Sequence, residues 1–173
     1  MKVLVTAASK HGATEEIARA IAMELELQGI TAHVAPPEEV ASLADYDAVL
    51  LGSGVYAGHW LGPAIKLAER ESVEFMRRPV WLFSSGPLGD PPLPAGDPVD
   101  VPTVMALTGA RGHRVIAGRL DKDQLGFGER AITKLVKAPE GDFRPWDEIA
   151  AWTKEIAAEL EAEAGVTVFA PGG

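Results

Sequence analysis

The residues best suited to chemistry form a short polar stretch near the start of the chain. Ser9 and Thr14 carry hydroxyl groups, and Lys10 carries a positive charge between them. Since an amphipathic helix pattern starts at about Thr14, free backbone N–H groups and the positive end of the helix dipole would point at this stretch. That combination favours an anion, most naturally a phosphate. The alternative is that Ser9 and Thr14 only cap the helix.

Two later stretches have the same small and polar character. Gly52 to Trp60 follows the apolar run Ala48 to Leu51, and Ser84 to Asp90 follows the apolar run Pro79 to Phe83. Aromatic and imidazole side chains lie in the first of them, where a flat ring system could stack.

The elements that must position these stretches alternate between strand and helix. Short apolar runs rich in β-branched residues predict buried strands, and an apolar stripe every three or four residues predicts helices. The predicted strands are Val3 to Val5, Ile30 to Ala35, Ala48 to Leu51, Pro79 to Phe83 and His113 to Gly118. Three helices are predicted to begin near Thr14, Pro63 and Pro145. Shorter helices are predicted at Glu38 to Leu43, Pro102 to Leu107 and Arg130 to Lys137, and a turn is predicted at Pro139 to Asp142. This alternation predicts an α/β fold, a parallel sheet with helices on both faces.

Because ligands bind beyond the carboxyl ends of the strands in such sheets, the loops after the first, third and fourth strands are expected to open on one crevice. A flat ligand with a phosphate tail would use all three loops together.

The composition of the chain excludes several classes of function and partner. The 173 residues suit one domain, and a net charge of −9 disfavours nucleic acid and anionic membrane surfaces as partners. The absence of cysteine excludes disulfides, thiolate metal sites and cysteine catalysis. No apolar run is long enough for a membrane span, so a cytoplasmic protein is expected.

Several common sites are missing from the sequence. The four histidines lie on separate segments without zinc-site spacing, so no metal is expected. Ser84-Ser85-Gly86 lacks the flanking glycines of a nucleophile elbow, which disfavours a serine hydrolase. Neither a P-loop nor a dinucleotide-binding glycine motif follows the first strand.

The loop Ser9-Lys10-His11-Gly12-Ala13-Thr14 resembles the phosphate-binding loop of flavodoxins. Gly52 to Trp60, Val115 to Gly118 and the helix opened by Trp146 are similar to one flavodoxin-like family, the menaquinone-dependent protoporphyrinogen dehydrogenases. The resemblance extends from Met1 to about Leu160 and implies a flavodoxin-like three-layer sandwich with a five-stranded parallel sheet of order 2-1-3-4-5. The sequence itself predicts one domain at residues 1–164 and a flexible tail at 165–173.

The resemblance also implies non-covalent FMN. Its phosphate would be held by Ser9, Lys10, His11, Gly12, Ala13 and Thr14. Its ring would lie between Ser53, Gly54, Val55, Tyr56, Ala57, Gly58 and His59 on one side and Ser85, Gly86, Pro87 and Leu88 on the other.

The roles of Tyr56, Trp60 and His59 each have two possible interpretations from the sequence. Tyr56 and Trp60 either stack on the flavin or pack against the following helix. His59 either donates a hydrogen bond or a proton to the ligand, or caps or faces solvent.

Function is expected to reside in the flavin, with no catalytic side chain required. The implied activity is that of an FMN-dependent oxidoreductase or electron carrier. Its electron acceptor would be a redox partner protein, a quinone or another small molecule. The sequence leaves open whether the protein forms a homodimer through an exposed helix face. Residues 120–129 are neither basic nor strongly apolar, which disfavours the membrane-coupled porphyrinogen reaction. The alternative is a redox-inactive interaction or regulatory module, although the acidic cluster that a receiver domain needs is missing after the first strand.

Overall fold

The apolar runs of the sequence form the central strands of one sheet. The computed structural model describes residues 1–86, 96–120 and 141–168. The strands are β1 Lys2–Ala8, β2 Thr31–Ala35, β3 Ala48–Tyr56, β4 His59–Trp60, β5 Val80–Ser85, β6 Gly112–Ile116, β7 Arg119–Leu120 and β8 Gly141–Asp142. The helices are α1 Ala13–Leu27, α2 Gly62–Arg70, α3 Ser72–Phe75, α4 Val101–Thr108 and α5 Trp146–Val168.

The main sheet has the order β2-β1-β3-β5-β6, and all of these neighbours are parallel. These five strands correspond to the five predicted from the sequence, so the predicted order 2-1-3-4-5 is confirmed. The additional short strand β4 pairs antiparallel with the end of β3, and β7 and β8 form a separate ribbon.

Helices cover both faces of the sheet. On one face, α1 and α5 pack on the odd-numbered side chains of β1, and Ile17, Ile21 and Leu25 are fully buried there. On the other face, α2, α3 and α4 cover Leu4, Leu51 and their neighbours. The result is a three-layer sandwich, because both faces of the central strands β1, β3 and β5 are too apolar to meet water.

The central strands run further than the sequence predicted. β1 continues to Ala8 and β3 to Tyr56, where small residues pair across the strands as Ala8 with Ser53 and Gly54 with Ser85. Placing Gly52 to Tyr56 and Ser84 to Ser85 in loops was therefore wrong. Small polar residues are typical of loops, and this led to the wrong prediction. Here they lie in paired strands, next to other small residues of the neighbouring strands.

The predicted helix at Glu38 to Leu43 is wrong. Residues 37–39 form a turn in which Glu39 N–H donates to the Pro36 carbonyl at 3.0 Å. The carbonyls of Val40 and Leu43 accept hydrogen bonds from Arg70 and Arg78 rather than from helical amides.

The last helix begins at Trp146, next to the predicted Pro145, and runs to Val168. It therefore passes through the predicted start of the tail at residue 165. The predicted helix at Arg130 to Lys137 lies outside the described residues, and Gly141–Asp142, predicted as part of a turn, forms β8. In the described part of the chain, no helix has the length and apolar character needed to cross a membrane.

Candidate cofactor site

The polar stretch after β1 leads into helix α1, which begins at Ala13. Gly12 precedes the helix with φ +79°, a left-handed conformation that favours glycine, and no side chain caps this end. The alternative that Ser9 and Thr14 cap the helix is therefore wrong. Since the first amides of a helix have no partner within it, a helix start of this kind is suited to bind an anionic ligand.

This loop contacts the end of β3 directly. A Cβ atom placed on Gly54 would lie 3.2 Å from Thr14 Oγ1, so the glycine lets the helix start approach the strand. Lys10 Nζ lies 5.3 Å from the centre of the Tyr56 ring, and the His11 ring centre lies 6.2 Å from it. The first and second predicted loops are thus brought together at the Tyr56 ring.

A tight two-residue turn shapes the second loop. Ala57 and Gly58 both have positive φ, 51° and 81°, and join β3 to β4 so that Tyr56 pairs with His59. Such turns match the twist of antiparallel strands. The buried Ser53 hydroxyl donates to Gly54 O at 2.8 Å and accepts from Leu61 N–H at 2.9 Å, so it fixes the exit of the hairpin.

Asp100 fixes the outer side of this hairpin. Its carboxylate accepts from Trp60 N–H at 2.8 Å and lies 3.1 Å from His59 Nδ1, while Val99 N–H donates to Gly58 O at 2.9 Å. The His59 side chain is 57% exposed, and neither α2 nor α4 has a side-chain cap at its start. Asp100 was not found from the sequence because it lies in a proline-rich segment that carries no periodic pattern.

A chain of hydrogen bonds lies beneath the hairpin. Trp60 Nε1–H donates to Ser84 Oγ at 2.7 Å, Ser84 Oγ lies 2.7 Å from His113 Nε2, and His113 Nδ1 lies 3.1 Å from Asp97 Oδ1. Because the Asp97 carboxylate can only accept, the proton of the neutral imidazole lies on His113 Nδ1. His113 Nε2 then accepts from Ser84, whose oxygen also accepts the indole proton.

The hydrogen bonds among Ser84, His113 and Asp97 resemble those of a Ser-His-Asp triad, but the serine is not accessible to a substrate. Ser84 is fully buried, and its oxygen accepts the indole proton. A nucleophile must reach its substrate, so the arrangement gives no support to a serine hydrolase. Trp60 is 4% exposed and packs in the core with Ala64 and Leu67 of α2, as in the second of its two interpretations.

Burial lowers the pKa of His113, although Asp97 acts in the opposite direction. In the unfolded chain the histidine takes up a proton near its ordinary pKa of 6.5, whereas the folded protein does so only at lower pH. We therefore expect the stability contributed by His113 to be complete above pH 6.5 and to be lost as the pH falls toward the folded pKa. Urea unfolding between pH 7 and pH 5 measures this dependence. His113→Gln should make the free energy of unfolding less dependent on pH over this range. An equally steep pH dependence in that variant would contradict the assignment of this effect to His113.

The third predicted loop meets the second at the edge of the sheet. A Cβ atom on Gly86 would lie 3.1 Å from Val55 Cβ, and one on Gly118 would lie 3.2 Å from Gly86 Cα. The ends of β3 and β5 and the residues after β6 therefore converge, which was predicted for the first two. Ser85 is buried, and the predicted Pro87 and Leu88 lie outside the described residues.

Charged residues that the sequence analysis missed lie on the other side of the first helical turn. Arg119 and Arg144 both donate to the carboxylate of Glu16. These contacts join positions more than one hundred residues apart, and no local pattern marks them. Within the described residues, no group of three or more His, Asp and Glu side chains is placed to hold a metal ion.

Comparison with known sequences places this architecture in a family. Residues 4–145 match the profile of the flavodoxin domain. The chain belongs to the flavodoxin domain family. Membership of this family identifies FMN as the cofactor and makes the chain a redox protein.

Other comparisons agree with this flavodoxin domain. The chain is 23% identical to the protoporphyrinogen IX dehydrogenase [quinone] of Escherichia coli strain K12, covering 91% of this chain and 95% of that enzyme. Its fold matches a flavodoxin from the domain Archaea with a TM-score of 0.63 and 16% identity over 93% of this chain and 99% of that one. It also matches the rubredoxin:oxygen oxidoreductase of Desulfovibrio gigas with a TM-score of 0.67 and 13% identity, covering 94% of this chain but 37% of that one.

The site of this flavodoxin domain fits FMN on its own geometry. The start of α1 carries no side-chain cap, Gly12 turns the chain before it, and Lys10 brings a positive charge to the same loop. A phosphomonoester needs such donors and such a charge. Tyr56 is 36% exposed beside this loop and offers an aromatic face to a ring system.

Proposed function

We propose that this flavodoxin domain is an FMN-dependent oxidoreductase in which residues 9–14 hold the cofactor phosphate and Tyr56 borders the flavin ring. The observation that carries this proposal is the contact between the uncapped start of α1 and the β3–β4 hairpin, with Lys10 and His11 both beside Tyr56. One ligand that carries a phosphate at one end and a flat ring at the other explains both features.

The chain's own residues provide binding and shape. Backbone N–H groups at the start of α1 and the Thr14 hydroxyl would donate to the phosphate, and Lys10 would offset its charge. The hairpin at Val55 to His59 and the end of β5 at Ser85 and Gly86 would border the ring, and Ala57 and Gly58 form the turn of this hairpin. A bound flavin supplies one- and two-electron chemistry, so no side chain need be an acid or a base.

For the substrate, we propose a porphyrinogen-like compound that loses electrons to the flavin, with a quinone or a redox partner protein as the acceptor. The similarity to protoporphyrinogen IX dehydrogenase over 91% of the chain supports this assignment. The acidic net charge of −9 and the polar residues 120–129 argue for an acceptor away from an anionic membrane surface.

The cofactor proposal is tested by a visible spectrum of the purified protein and by titration with FMN. Flavin absorbance or saturable fluorescence quenching is expected. A protein that neither carries flavin nor quenches added FMN would instead support the redox-inactive interaction module. The substrate proposal is tested by offering protoporphyrinogen to the FMN-loaded protein and following flavin bleaching without oxygen, then adding a quinone. Bleaching by chemical reductants but not by protoporphyrinogen would contradict the porphyrinogen assignment while leaving the flavoprotein assignment intact.

Thr14→Val tests the placement of the phosphate. Thr14 is 4% exposed and lies against Gly54, so valine should fit the same space. Loss of a hydroxyl that bonds the phosphate should weaken FMN binding by about 1 kcal/mol, close to fivefold, and leave riboflavin binding unchanged. Fluorescence titration with the two flavins measures both affinities. Thr153→Val, which changes a buried helical threonine bonded to Ile149 O at 2.8 Å, is the matched control and should not change either affinity.

A further inference from the structure

Arg144 is a buried cation that donates hydrogen bonds to two carboxylates and one backbone carbonyl. Its side chain is 3% exposed. Two of its nitrogens donate to the Asp142 carboxylate, Nε at 2.8 Å and Nη2 at 2.5 Å, while Nη1 donates to Glu16 Oε2 at 2.7 Å and to Ala13 O at 3.2 Å. The guanidinium carbon lies 4.5 Å from the centre of the Trp146 ring. With its donors engaged in this way, Arg144 is placed to act on the protein rather than on a ligand.

Two of these acceptors belong to the first turn of α1. Ala13 is the first residue of that helix, and Glu16 N–H donates to Gly12 O at 2.9 Å to close its first turn. Arg119 holds the same carboxylate from the other side, with Nη1 at 3.0 and 3.1 Å from the two Glu16 oxygens. Arg119 and Asp142 are paired residues of the β7–β8 ribbon, so this ribbon and Arg144 fix the start of α1.

The two arginines keep the Glu16 carboxylate ionised and compensate its charge. Burial alone would raise the pKa of Glu16, but hydrogen bonds and charges from Arg144 and Arg119 outweigh it and keep the pKa below its ordinary value. Glu16 is therefore ionised at neutral pH, in the same helical turn that would receive the phosphate. A carboxylate there interacts favourably with the helix dipole but repels a second anion.

We propose that Arg144, together with Arg119, is a positioning residue that fixes the first turn of α1 and neutralises Glu16, and so sets how strongly the cofactor phosphate is held. This inference rests on the proposed placement of the phosphate at residues 9–14. Arg144 acts through Ala13 and Glu16, and the affinity for the ring portion of the cofactor does not depend on it.

The test compares FMN with riboflavin, which lacks the phosphate. Arg144→Met keeps an apolar stem of similar length, removes the charge and leaves Glu16 with one cation. FMN affinity should fall by about tenfold, while riboflavin affinity should change by less than about twofold. Adding Glu16→Gln to Arg144→Met should restore most of the FMN affinity, because the carboxylate that has lost one of its two cations is then gone. Raising the salt concentration should also reduce the difference between wild type and Arg144→Met.

The other outcomes are separable. If FMN and riboflavin affinities fall together in Arg144→Met, or if neither changes, the positioning role is refuted. If Arg144→Met fails to fold, Arg119→Met, at a side chain that is 25% exposed, carries the same comparison and should lower FMN affinity selectively by about threefold. If the wild-type protein binds riboflavin as tightly as FMN, the placement of the phosphate itself fails and the positioning role fails with it.

Discussion

Replacing Gly52 with alanine is expected to destabilise the protein by about 3 kcal/mol, near the upper end of the usual cost of overpacking a core. Gly52 lies in β3, and a Cβ atom added to it would come within 2.2 Å of Phe83 Cζ. Phe83 is fully buried and meets the Trp152 ring at 6.4 Å in an edge-on arrangement, so its ring has no free space to enter. Urea unfolding of the flavin-free protein measures the change.

Two further variants make this test specific for the Phe83 ring. Gly112→Ala in β6 is the matched control, since an added Cβ there meets nothing within 4 Å and should change stability by less than about 1 kcal/mol. The double variant Gly52→Ala, Phe83→Leu should lose less stability than the two single changes add up to, because the smaller side chain makes room for the methyl group. An additive double variant, or a Gly52→Ala protein as stable as Gly112→Ala, would contradict the packing argument.

The same pair shows what the sequence can and cannot predict. The apolar runs at Val3 to Val5 and Ala48 to Leu51 predicted central strands because burial on both faces requires continuous apolar residues. Gly52 was predicted to start a loop, yet it continues β3 because the Phe83 ring on the neighbouring strand fills the space that a side chain would need. Close packing between strands is a pairwise property, and one strand read alone does not show it.

The candidate site divides in the same way. The convergence of three chain segments was predictable, because small and hydroxyl-bearing residues follow apolar runs that must reach one edge of a parallel sheet. Two of these segments, Gly52 to Tyr56 and Ser84 to Ser85, nevertheless lie in strands rather than in loops. The residues that hold the three segments in place were not predictable. Asp100 lies in a proline-rich segment, and Arg119 and Arg144 contact Glu16 across 103 and 128 positions. A salt bridge between distant segments leaves no periodic signal, so its partners become visible only when the fold brings them together.

Trp60→Phe is expected to cost about 2 kcal/mol and to raise the pKa of His113 toward its ordinary value. Phenylalanine keeps most of the buried ring but removes the indole N–H, which donates to Ser84 Oγ at 2.7 Å. A hydroxyl whose oxygen already accepts a bond is a stronger donor, so the indole strengthens the bond from Ser84 to neutral His113. Without it, the neutral imidazole loses stabilisation relative to its protonated form. Urea unfolding gives the first effect and an NMR titration of the His113 ring gives the second.

Trp81→Phe separates the loss of ring volume from the loss of the hydrogen bond. Trp81 is also 4% exposed, but its ring lies beside the Arg111 guanidinium at 5.2 Å rather than under the hairpin. This control should lose stability through its smaller ring and leave the His113 titration unchanged. A double-mutant cycle of Trp60→Phe with Ser84→Ala should show a coupling of about 1 kcal/mol, since each change alone breaks the same bond. Without such coupling, and with the His113 titration equal in both tryptophan variants, Trp60 would act only by filling space. With coupling, the hairpin that carries Tyr56 is joined to β5 and β6 by a directional chain of hydrogen bonds, because Trp60 pairs with Val55 in the same hairpin.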